Sequence, residues 1–146
     1  MSDTFDEIKD HYDFIRKADG NVIIAGLGLG MVANAILDKP DVTQVTVVDL
    51  SPDVIKLVGP HWQKKHGDRL KIIQADILQW KPNPGDRWDH AWWDIWDDKC
   101  GDNLVQMTKI KRKFAQKVGT QACWGESHIR YWSRRDKRQR RSIWGS

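Results

Sequence analysis

The sequence predicts an α/β fold, a doubly wound and mostly parallel sheet of about five strands. Three observations predict it. Short apolar runs rich in β-branched residues alternate with segments long enough for a helix. A glycine cluster stands between the first such run and the helix after it, and acids close the runs that follow. Right-handed crossovers then restrict the topology to a few doubly wound forms.

Each element has a local reason. Phe5, Ile8, Tyr12 and Ile15 recur at helical spacing and predict an amphipathic helix over 4–18, stopped by Asp19-Gly20-Asn21. Asn21–Ala25 is an apolar run suited to a buried strand, and Met31–Lys39 beyond the glycines reads as a helix closed by Pro40. Gln44–Asp49 is a second strand. Ser51 caps the next helix, with Pro52 at its first position, and that helix runs to about His66. Leu70–Asp76 is a third strand ending in an acid. Lys81–Asp86 is a Pro/Gly-rich loop. Asp89–Asp94 is a fourth strand, residues 102–117 a helix, Thr120–Trp124 a fifth strand, and a basic helix starts near Ser127. The 146 residues suit one domain, with an N-terminal helix (1–19), a sheet-bearing core (20–125) and a basic helix or tail (126–146).

Composition narrows the setting. About two fifths of the residues are apolar and 30% are charged, a soluble globular profile. No apolar run approaches the roughly 20 residues of a membrane span, and MSDTFDEIKD lacks the form of a signal peptide. Cys100 and Cys123 match no zinc or redox spacing, so a reducing, cytoplasmic setting is expected. The net charge of +4 divides unevenly: residues 1–108 carry 12 Lys/Arg against 18 Asp/Glu, whereas 109–146 carry 12 against 2. Such a basic segment meets phosphates, of nucleic acid or a membrane surface, or is simply a solvated helical face. Of nine tryptophans, Trp88, Trp92, Trp93 and Trp96 fall together, as core or as a stacking wall for a flat ligand.

In doubly wound sheets ligands sit outside the carboxyl ends of the strands, near the switch in strand order. Gly26-x-Gly28-x-Gly30 follows strand one, where glycines bring backbone close to a ligand and the helix start favours a carboxylate or phosphate. Asp49 closes strand two, where a carboxylate accepts from both ribose hydroxyls of an adenosine. Asp76 closes strand three, where an acid accepts from an adenine amino group. Together these features point to adenosine recognition. The NAD fingerprint wants a glycine where Met31 stands, and no Gly-Lys-Ser/Thr marks a Walker A loop.

The Gly-x-Gly-x-Gly spacing, with Asp49 and Asp76, resembles the class I S-adenosylmethionine-dependent methyltransferases. The segments IIAGLGLGM and VTVVDLSPDVI resemble the spermidine-synthase-like branch of that superfamily, and also small methyltransferase-like proteins of bacteria and phages. WDHAWWDIW, followed by Asp102-Asn103-Leu104, is similar to those small proteins too. The resemblance covers about residues 20–125 and implies a Rossmann-like core that binds S-adenosylmethionine. It places Gly26, Gly28 and Gly30 along the methionine moiety, Asp49 on the ribose and Leu50 on the adenine. Asp76 and Ile77 would contact the adenine amino group and ring.

The departures bear on the acceptor. The superfamily core has seven strands, and the elements here stop after the fifth or sixth. Asp94-Ile95-Trp96-Asp97-Asp98 is not the Asn/Asp-Pro-Pro-Phe/Tyr motif of amino-methylating enzymes, no Pro-Cys pair suggests a cytosine-methylating nucleophile, and no aminopropyl-transferase N-terminal region is matched. Asp94 is the catalytic candidate, as a base or orienting group for an attacking amine or hydroxyl; otherwise it caps a turn or holds the cofactor's amino group. His90 reads as a structural polar residue. Asp94, Asp97, Asp98 and Asp102 suit either a divalent cation or a solvated turn, and no metal ligand is assigned. Lys99 beside Cys100 favours a lowered thiol pKa, with nothing else marking a nucleophile.

The function expected is thus methyl transfer to an unknown acceptor. The rivals are a nucleic-acid-binding module built on Lys109–Arg141, with Tyr131 and Trp132 to stack on bases, and a domain that binds or consumes the cofactor without an acceptor. A sheet ending at strand five leaves an edge to be covered by the basic helix or a second subunit, so a homodimer is an expectation.

Overall fold

The computed structural model describes residues 4–96 and 102–144. Five parallel strands form one sheet in the order β3-β2-β1-β4-β5. They are β1 (Gly20–Ala25), β2 (Val42–Asp49), β3 (Leu70–Gln74), β4 (Trp88–Trp93) and β5 (Val118–Cys123). The helices are α1 (Thr4–Lys17), α2 (Met31–Leu37), α3 (Pro52–His66), α4 (Asn103–Lys113) and α5 (Glu126–Trp144), with a 3-10 turn at Gly67–Arg69. The strand order reverses between β1 and β4, so the carboxyl ends of this pair form the topological switch. Ala25 is level with Val48 on one side and Trp93 on the other.

The strands pair because they are apolar on both faces. Val22, Ile23, Ile24 and Ala25 of β1 and Val45, Val47 and Val48 of β2 are all buried, as a two-sided parallel sheet requires. Adjacent residues of a strand face opposite sides, and β4 uses this to hold both layers. Trp92 meets Phe14 of α1 at 5.2 Å between ring centroids, whereas Trp93 meets Phe114, just after α4, at 4.8 Å. Thus α1 and α4 cover opposite faces.

Several boundaries differ from the sequence reading, each for a local reason. β3 ends two residues before Asp76, because Asp76 Oδ1 accepts the Leu78 N–H at 3.0 Å and turns the chain. β4 ends one residue before Asp94, although the Asp94 N–H still donates to Ala25 O at 2.9 Å. α4 ends at Lys113 rather than near 117, because fully buried Phe114 draws the chain into the core before β5 starts beside Trp88. Among the described side chains, Phe14 of α1 and Ala18 just after it are buried, with Ile15 packed at their margin; Tyr12, of the predicted stripe, is 58% exposed. The side chains of Phe5 and Ile8 lie outside the described residues. Lys39 fixes the end of α1, its ammonium donating to the carbonyls of Ile15 (2.7 Å), Arg16 (3.0 Å) and Ala18. A cation there satisfies carbonyls that the helix leaves unpaired. Among the described residues no helix is long and apolar enough to cross a membrane.

Candidate functional site

An open cavity of about 680 Å³ lies at the switch between β1 and β4, within the roughly 300–1,000 Å³ of small-molecule sites. The glycine loop after β1 forms one wall. Gly26 has φ +99°, and a Cβ there would stand 2.2 Å from the Asp94 carbonyl oxygen, so only glycine lets the ends of β1 and β4 approach this closely. Gly28 lines the cavity. Gly30 makes room for Trp62. It is not among the lining residues, and a Cβ there would meet the Trp62 indole nitrogen at 2.2 Å. Trp62 Nε1 in turn donates to Leu29 O at 2.9 Å, so Gly30 admits the ring that holds the loop from beneath.

The ends of β2 and β3 supply the second wall. Asp49 is bound on both carboxylate oxygens: Oδ2 accepts the Leu27 N–H at 2.7 Å and Oδ1 the Ser51 N–H at 2.8 Å. Each oxygen retains a lone pair for a further donor. Leu50 beside it is 66% exposed, and Leu29 and Met31 across the cavity are 76% and 64% exposed. Three large apolar side chains exposed on one cavity give it an apolar rim of the kind that marks binding surfaces. Asp76 and buried Ile77 continue this wall. Lys113 braces it from α4, donating to Ile77 O at 2.9 Å; burial pushes its ammonium below the usual lysine range, while the charge of Asp76 pulls it back up.

The third wall comes from β4 and α1. Asp94, Ile95 and Trp96 line it, together with Trp92. Within the tryptophan cluster, Trp88 and Trp93 pack in the core around Phe114, and Trp92 and Trp96, also buried, border the cavity. The indole N–H groups of Trp93 and Trp96 are taken by Gln121 (2.9 Å) and Gln106 (2.8 Å). Trp92 Nε1 is buried with no hydrogen-bond partner among the described residues, and so is Nε2 of His11. Both side chains line the cavity, their rings 5.3 Å apart and edge to face. His11 Nε2 stands 3.6 Å from Asp94 Oδ2, close enough for an ion pair and too far for a hydrogen bond. Buried polar atoms are normally hydrogen-bonded, so these two, on side chains that border the cavity, are candidates to meet a ligand's polar groups or water there.

Of the residues singled out from sequence, Gly26, Gly28, Asp49, Leu50, Asp76, Ile77 and Asp94 thus share one cavity. His11 and Trp92 are the additions. His90 is held by Asp19 (2.8 Å) and Thr120 (2.5 Å) and is not a lining residue. Burial pushes the Cys123 thiol up to about 12, which leaves it inert. Asp97, Asp98, Lys99 and Cys100 lie outside the described residues. Among the described residues no three metal-ligating side chains gather at one point.

No family model and no curated protein matches the sequence. Solved structures do match in fold. The methyltransferase domain of bacterial CtHen1-C superposes with a TM-score of 0.59 at 15% identity, covering 81% of this chain and 63% of that one. The 23S rRNA methyltransferase ErmE gives 0.57 at 18% identity, covering 79% and 43%. The [4+2]-cyclase SpnF gives 0.55 at 16% identity, covering 77% and 40%. This chain therefore spans less than two thirds of each. At such identities the likeness is one of fold: the chain has the Rossmann-like α/β fold of class I methyltransferases.

Proposed function

We propose that the protein is an S-adenosylmethionine-dependent methyltransferase whose acceptor is a proton-bearing nucleophile. The observation that carries this reading is Asp49, which braces the glycine loop through Leu27 while keeping acceptor capacity on the cavity wall. The side chains fit the cofactor. Asp49 would hold the ribose hydroxyls, Leu50 and Ile77 would flank the adenine, and Asp76 would accept from its amino group. Met31, where the NAD fingerprint has glycine, sets an exposed side chain at the cavity mouth and argues against a dinucleotide. When bound, S-adenosylmethionine supplies an electrophilic methyl group.

The chain's own part in the reaction falls to the third wall. Asp94 and His11 would hold the acceptor's proton, and the Trp92 N–H would donate to the acceptor. In methyl transfer much of the rate comes from holding the reactants in line, so these groups need only orient the nucleophile and take its proton. We further assign the chain to the spermidine-synthase-like branch, close to small bacterial and phage methyltransferase-like proteins, on the motif segments around Gly26 and Asp49.

A fold shared by a methyltransferase and a cyclase does not fix the reaction. The test is incubation with methyl-labelled cofactor and separate pools of RNA, DNA, protein and small metabolites. Label in one pool, lost in Asp94→Asn, supports the reading. Tight cofactor binding with label in none favours a domain that binds or consumes the cofactor without an acceptor.

A further inference from the structure

We propose that α5 is a docking arm for nucleic acid, with its arginines on the phosphates and Tyr131 and Trp132 against unpaired bases. Among the described residues the helix is anchored at its start. Glu126 pairs with Lys111 at 2.6 Å and Arg130 at 2.8 Å, and Ile129 is buried. From Arg130 to Ile143 every residue except Ser133 is exposed. The cavity at the sheet switch does not involve this segment, so the proposal stands independently of the cofactor reading.

Its charge calls for a polyanion. Residues 126–144 carry seven Lys/Arg against Glu126 and Asp136, a balance of +5, and six of the seven cations are arginine. Arginine's planar fork matches phosphate oxygens in pairs, which an ammonium does not. Arg130, Arg134, Arg138 and Arg141 recur three or four residues apart, so like charges adjoin along one side of the helix and repel each other. A row of phosphates relieves that repulsion. Tyr131, Arg134, Arg135 and Arg138 enclose a shallow surface hollow of about 390 Å³.

The aromatic pair decides between polyanions. Tyr131 and Trp132 are 58% and 46% exposed, with ring centroids 5.4 Å apart, and the Arg135 guanidinium lies 5.4 Å from the Trp132 ring centroid. An exposed aromatic pair set among arginines is a stacking platform of the kind single-strand binders use. A membrane surface fits less well. A helix lying on lipid needs a continuous apolar face, yet Ser133–Ser142 contains no apolar residue.

The test uses the full chain and fluorescence anisotropy. The probes are labelled single-stranded oligouridine of about 12 nucleotides, within the footprint of single-strand binders, the matching duplex, heparin and phosphatidylserine vesicles. Binding to oligouridine should weaken with salt, with a log–log slope of about −3 for roughly four phosphates. The triple variant R134Q/R138Q/R141Q, which keeps helix propensity, should flatten that slope by about 2. Trp132→Ala should weaken oligouridine by roughly 10-fold and leave heparin unchanged. The proposal is overturned if oligouridine does not bind at low salt, or if Trp132→Ala weakens heparin and oligouridine alike. Vesicles or duplex binding more tightly than oligouridine would overturn it too.

Discussion

The Asp49 carboxylate accepts the Leu27 N–H at 2.7 Å, joining the end of β2 to the glycine loop after β1. This bond spans 22 residues and makes Asp49 a support of the cavity as well as a ligand for its contents. The two roles separate by substitution. Asp49→Ala loses both, leaving the Leu27 N–H without its partner at a cost of about 1–3 kcal/mol. Asp49→Asn can keep the loop bond through its amide oxygen, but its NH2 then faces the Ser51 N–H and the charged acceptor is lost. Asn is therefore expected to melt between Asp49→Ala and wild type and still bind S-adenosylhomocysteine weakly, as calorimetry and thermal unfolding would show.

Gly26 and Gly30 are expected to fail differently. Gly26→Ala drives a Cβ against a backbone carbonyl at positive φ, and should cost about 2–4 kcal/mol with no side-chain change able to relieve it. Gly30→Ala meets the Trp62 ring, so Trp62→Leu should recover part of its cost in a double-mutant cycle. Denaturant midpoints of the three single variants and of G30A/W62L would check this.

These glycines also mark how far the sequence could be read. The run Val22–Ala25, the cluster after it and Asp49 lie within one βαβ unit, so their local order already placed Gly26 and Asp49 on one cavity. The task of Gly30 depends on Trp62, a residue of another helix, and no spacing shows which ring reaches which glycine. His11 was hidden for a similar reason. Phe5, Ile8, Tyr12 and Ile15 make a plausible stripe, but the face that packs carries Phe14 and Ala18, and the rotation brings His11 to the cavity. Alternation along β4 separates Trp92 from Trp93, but which helix covers each face, and that Trp88 also reaches Phe114, are tertiary facts that spacing does not carry.

His11 should matter to transfer and not to adenosine binding. His11→Ala is expected to leave affinity for S-adenosylhomocysteine near wild type and to slow transfer to an identified acceptor by about 10²–10⁴-fold. Lys39→Met acts on the same group from a distance. Freeing the carbonyls at the end of α1 should cost about 1–3 kcal/mol and raise hydrogen exchange across α1, with transfer falling as His11 loses its place.

The anchor of α5 should be acid-sensitive. Burial alone would raise the Glu126 pKa, but hydrogen bonds from Lys111 and Arg130 outweigh it and hold the carboxyl below its ordinary value of 4.5. A depressed carboxyl contributes stability that is complete above pH 4.5 and is lost as pH falls through the lower, folded value. Protection of Ile129 and its neighbours from hydrogen exchange, taken relative to the intrinsic rate at each pH, should therefore fall below pH 4.5, and Glu126→Gln should show the lowered protection already at neutral pH.

The most direct test of the central claim is isothermal titration of the protein with S-adenosylmethionine, S-adenosylhomocysteine and NAD, beside Asp49→Ala. Micromolar binding of both sulfur compounds, absent for NAD and lost in the variant, is the predicted result. A wild-type protein that binds neither sulfur compound, or that prefers NAD, would contradict it.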